Sequence, residues 1–215
     1  MKINKLKYSL ILPLLLVSTS CKDNKSLITL IGADIYSNSQ MDVFTKVADE
    51  AKLEYNNALS QKKRDYRDDL KLLETNPLIY YNGSKTTVKK ILKKTKILFF
   101  SFDYKSVLIN YDTSGYESMN HDLSLWDYYI HQINEELIDI YSGKVVMLSL
   151  FNDTNDKALT RYIETFNNSL KEKCEEYEVT YIDTSYLSSY IENLEINSSG
   201  LTRLYKELQE AIIWN

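Results

Sequence analysis

The chain has 215 residues, with 26 basic and 30 acidic side chains, a formal charge of −4, 44% apolar residues and 26% charged ones. That is enough for one well-buried domain, and no Pro/Gly/Ser-rich linker divides it. An acidic chain whose one basic run is Lys89 to Lys96 argues against nucleic acid as a partner, and five glycines without a phosphate-cradling loop leave no cofactor to expect.

Residues 1 to 20 hold Lys2, Lys5 and Lys7, then the apolar run Leu10 to Val17, then Ser18-Thr19-Ser20 before Cys21. A short positive segment followed by a short apolar one describes a secretory signal, too short to span a bilayer as a mature helix. Small residues running into a cysteine resemble the bacterial lipobox, although Ser18 stands where leucine is usual. The resemblance implies lipidation at Cys21, a polar tether over residues 21–26, and a chain anchored at the extracytoplasmic face of a bacterial membrane. An ordinary secretory signal or an uncleaved anchor is the alternative. Removal of residues 1–20 leaves 23 basic and 30 acidic residues, a balance of −7. Cys174 is then the one remaining cysteine, which excludes an internal disulfide, and its acidic neighbours Glu175 and Glu176 suit a core thiol better than a nucleophile.

The folded part, residues 27–215, opens with Leu27 to Tyr36, LITLIGADIY. Its apolar run suits a strand buried on both faces, and Gly32 ends it where a tight turn needs no Cβ. Gln40 to Leu73 reads as one or two helices, Pro77 to Tyr81 as a second strand ending at the turn signal Asn82-Gly83, and Thr86 to Lys93 as a short helix. Ile97 to Phe100 is a third strand, Leu123 to Tyr141 a helix closed by Ser142-Gly143, and Val145 to Leu150 a fourth strand. Asp156 to Tyr177 is helical, Val179 to Asp183 is a fifth strand, and Ser199 to Ile213 is the last helix. Alternating strands and helices predict a three-layer α/β/α sandwich around a five-stranded parallel sheet, flavodoxin-like in its layering.

Four places in this order resemble the SGNH, or GDSL-like, hydrolases. LITLIGADIY is similar to the family's opening strand and Gly-Asp-Ser turn. YYNGSKTTVKKIL is similar to its strand, oxyanion-binding glycine and helix; ILFFSFDY stands where it has a strand followed by Gly-x-Asn-Asp; and IENLEINSSGLTRLYKELQEAI follows its closing Asp-x-x-His segment and last helix. The resemblance implies an esterase or carbohydrate acyl-hydrolase scaffold, but most of the chemistry is replaced. Asp34 stands at the nucleophile's position, Asp103 at that of an oxyanion-binding asparagine, and Glu192 and Glu195 at those of the catalytic Asp and His; Gly83 keeps the second oxyanion donor.

A serine needs a base within hydrogen-bond reach, and His121 and His131 lie far in sequence from the closing motif. Ser37 or Ser39 as a displaced nucleophile would still need such a base. Acids at Asp34, Asp103 and Glu195 would repel one another if gathered, which makes a Ca²⁺ or Mg²⁺ site a second option beside an abandoned centre. The expectation is an anchored binding or accessory module for an extracytoplasmic glycan or ester. The alternative is an active esterase or acyl-hydrolase using a rearranged site.

Overall fold

The computed structural model describes residues 26–32, 36, 42–56, 75–76, 78–81, 84–102, 115–135, 143–151, 155–193 and 195–213. Its centre is a five-stranded parallel sheet of order β2-β1-β5-β6-β7, built from β1 (Leu27–Gly32), β2 (Glu54–Asn56), β5 (Thr95–Ser101), β6 (Lys144–Leu148) and β7 (Thr180–Ile182). Every residue of β1 is buried, as an unbroken apolar run predicts for an inner strand covered on both faces.

Side chains alternate across a strand, so each sheet face gathers its own core. Leu98 and Phe100 of β5 face one side, where they pack with α2 (Val88–Lys94), α3 (Tyr116–Glu135) and α4 (Lys157–Glu176) through Leu92, Trp126, Ile163 and Phe166. Ile97 and Phe99 face the other, where α1 (Val43–Glu50) and α5 (Ser198–Ile213) supply Phe44, Val47, Leu204 and Leu208. This is the predicted three-layer sandwich. Cys174 lies fully buried in the first core as a free thiol, as the core reading expects, and burial, with Glu175 beside it, pushes its pKa up to about 12.

The helix starts follow local chemistry. Asp42 and Asp156 accept hydrogen bonds from backbone N–H groups at the starts of α1 and α4, and Thr87 does the same for α2.

One sheet strand differs from expectation. Pro77 to Tyr81 is not the second parallel strand. Its described part, β3 (Leu78–Tyr81), pairs antiparallel with β4 (Ser84–Thr87) as a separate hairpin. Tyr81 pairs with Ser84, leaving Asn82-Gly83 as the two-residue connection, a sequence that favours a hairpin turn over a crossover. The strand that pairs with β1 on the side away from β5 is Glu54-Tyr55-Asn56, three residues inside the stretch read as helix. Asn56 is buried there and donates to Thr29 Oγ1 at 3.3 Å, and Thr29 shares a 2.7 Å hydroxyl contact with Thr95 on β5.

Candidate functional site at the carboxyl edge of the sheet

In a parallel sheet flanked by helices, ligand-binding groups collect where the strands end. Here β1 ends at Gly32 with φ of 101°, and a Cβ on it would sit 1.8 Å from the carbonyl oxygen of Ser101 at the end of β5. Only glycine allows that approach. The two central strands are thereby brought together at their carboxyl ends.

A chain of hydroxyls then crosses the edge. Ser101 Oγ donates to the Tyr36 hydroxyl at 3.3 Å. Tyr36 is buried between Phe44 and Phe151, edge-on to both rings. Burial raises its pKa, an effect partly offset by hydrogen bonds to Ser101 and Thr184. Thr184 Oγ1 donates to the Ser149 carbonyl at 2.6 Å, and Thr184 N donates to Ser149 Oγ at 2.7 Å. Ser149 Oγ donates in turn to Asp183 Oδ1 at 3.3 Å. The ends of β1, β5, β6 and β7 are thus joined by neutral groups, with Asp183 alone exposed at the rim of this chain.

Asn167 on α4 supports the same edge from below. Its side chain accepts from Leu150 N at 2.9 Å and donates to Leu150 O at 2.7 Å, so an amide on a helix copies the pairing of a strand just past the end of β6. The sequence reading missed Asn167, Thr184 and Ser149. The available signal was an asparagine among the buried positions Ile163, Phe166 and Leu170 of α4.

The acids carried over from the family resemblance stand differently. Asp34, Gly83 and Asp103 lie outside the described residues, as do Cys21, Ser37 and Ser39. Glu192 and Glu195 are described, and both are exposed. They face each other across a short hairpin formed by β8 (Ile191–Glu192) and β9 (Glu195–Ile196). Glu192 Oε1 accepts from Asn197 Nδ2 at 2.8 Å, while Asn197 Oδ1 accepts from the backbone N–H groups of Ser199 and Gly200 at the start of α5. Glu192 therefore orients the residue that caps α5. His121 and His131 are exposed on α3. Among the described residues, no group of three or more His, Cys, Asp and Glu side chains gathers in a way that would hold a metal ion.

The arrangement around Ser149 does not activate it. Thr184, Asp183 and Tyr181 are its partners among the described residues, and neither a carboxylate nor a phenol is as good a base toward a serine hydroxyl as an imidazole poised near neutral pH.

The architecture matches solved structures over nearly its whole length. A lipase from a goat-rumen metagenome superposes with a TM-score of 0.62 at 14% identity, covering 87% of this chain and 97% of its own. An acetylxylan esterase from Geobacillus stearothermophilus gives 0.59 at 12% identity, covering 90% and 97%. The fold is that of an SGNH-like hydrolase. An α/β hydrolase enzyme from the metagenome of Lake Arreo, Spain, is similar at a TM-score of 0.57 and 11% identity, over 86% of this chain and 94% of its own. No family model and no curated protein sequence matches the chain.

Proposed function

We propose that this chain is a membrane-anchored extracytoplasmic lipoprotein whose SGNH-like hydrolase domain acts as a binding or accessory module, without Ser-His-Asp esterase chemistry. The observation that supports it most is the hairpin of Glu192 and Glu195. At the positions where the family resemblance implies an aspartate and a histidine, the chain has two exposed carboxylates, one of them engaged with the cap of α5. A carboxylate does not take a serine proton and return it to a leaving group as imidazole does. Asp34 at the nucleophile's position points the same way from the sequence. The anchor rests on Cys21, and the ligand class is an extracytoplasmic glycan or ester, in keeping with the named activities of the structural neighbours.

A panel of short acyl esters and acetylated sugars should give no turnover above a heat-treated control. Turnover that disappears in Asp34→Ala would defeat the reading. The neighbours' names, a lipase and an acetylxylan esterase, favour one alternative: an active acyl-hydrolase with a rearranged site. Covalent labelling of a serine by a fluorophosphonate would establish that alternative.

A further inference from the structure

The amino end of the sheet carries a charge pattern of its own. Lys90, Lys93 and Lys94 on α2 and Lys96 on β5 are all exposed, and none forms an ion pair among the described residues. Lys93 and Lys94 occupy the last turn of α2, where the helix dipole favours cations. The dipole does not account for Lys90 or Lys96. Lys96 is the extra residue of an irregularity in the ladder: Leu27 pairs with Thr95 and Ile28 with Ile97. A residue without a partner opposite it leaves the ladder, so a lysine in the central strand reaches solvent.

The chain enters the fold at the foot of this cluster. Ser26 N donates to Lys94 O at 2.9 Å, and Leu27 is already in register with Thr95. Cys21 lies five residues before Ser26, a span of at most about 18 Å when fully extended. Elsewhere the same end of the sheet is mainly acidic, with the exposed Asp49 and Glu50 at the end of α1 and Glu175, Glu176 and Glu178 at the end of α4, against Lys52 after α1 and Lys144 at the start of β6. We propose that Lys90, Lys93, Lys94 and Lys96 form a docking face for the anionic phospholipid surface beside the anchor. The partner rests on the anchored-lipoprotein reading. The short tether holds the lysines near the headgroups, within reach of a potential that fades over about 8 Å, and they lie at the chain's point of entry, whereas the acids lie at the ends of α1 and α4, which lead into the edge strands β2 and β7. All five strands of the main sheet run parallel, so the carboxyl edge with Ser101, Ser149 and Thr184 lies at the far end, roughly 20 Å beyond Thr95 for six steps along β5. The candidate site then faces away from the membrane.

The test uses the full chain, purified from membranes and reconstituted into vesicles of phosphatidylcholine alone or mixed with phosphatidylglycerol. A brief pulse of an amine-acetylating reagent is read by mass spectrometry at the four lysines and at the exposed lysines Lys157, Lys171 and Lys206 on other elements. On the anionic vesicles the four should label about fivefold less, the partition expected for one lysine near such a surface, and recover in high salt, while the other three stay unchanged. Equal labelling on both vesicle types, or an equal fall at all seven lysines, overturns the docking face. So does stronger protection by soluble polyphosphate than by the vesicles. The anchor is read separately, as attachment that survives a high-salt wash. If the chain washes off, the anchor fails, and docking is read by low-salt sedimentation with the anionic vesicles. There the wild type must exceed the variant with all four lysines changed to Gln, and parity between them overturns docking as well.

Discussion

The ends of the strands and the hairpin before α5 belong to the same connection region of the sheet, yet they are built in opposite ways. Gly32, Tyr36, Ser101, Ser149 and Thr184 are buried and joined by hydrogen bonds between neutral groups, at spacings that tolerate no extra atom at Gly32. Glu192 and Glu195 are exposed and charged, and the hydrogen bond that Glu192 accepts from Asn197 serves a helix cap. The first region is fixed by packing, and the second presents its carboxylates to solvent. Packing constrains the strand ends whether or not any reaction follows.

The contrast breaks most sharply at Gly32. Gly32→Val places a Cβ inside the contact with the Ser101 carbonyl at a positive φ, and it should destabilise the fold by about 4 kcal/mol or more, read as a collapse of the urea midpoint. A change below about 1 kcal/mol would show that the strand ends are looser than this geometry. Next in size is Thr184→Val, which keeps the shape of the side chain while removing the donor to the buried Ser149 carbonyl. The expected loss is about 2 kcal/mol in the same measurement, because a buried acceptor is left without its partner.

The layers were legible in the sequence because they depend on long periodic segments. The apolar run of β1 and the stripe of Leu201, Leu204 and Leu208 on α5 follow from burial alone. What escaped were features set by tertiary contact. Glu54-Tyr55-Asn56 has too few residues and too much charge to announce a strand, and it becomes one because β1 offers an open edge. The Asn82-Gly83 signal is visible in the sequence, but it does not say whether the strand before it joins the main sheet or, as β3 does, pairs with β4 alone. At the hairpin, the identities Glu192 and Glu195 are plain in the sequence, but their exposure and the contact of Glu192 with Asn197 depend on the fold. The hydroxyl chain could not be read, because nothing in the spacing of Tyr36, Ser101, Ser149 and Thr184 brings them together before the sheet order is known.

The smallest effect separates structural use of the hairpin from chemical use. Asn197→Ala removes the acceptor for the N–H groups of Ser199 and Gly200 and should cost about 1 kcal/mol, the usual weight of a helix cap. Glu192→Ala removes only an exposed contact that orients Asn197, so its effect should stay below about 0.5 kcal/mol. If Glu192 acts only through the cap, the double variant should be no less stable than Asn197→Ala alone, because the contact is already lost once the asparagine is gone. Fully additive losses would mean that Glu192 has a second partner, and the exposed hairpin would then have to be reconsidered as part of a site.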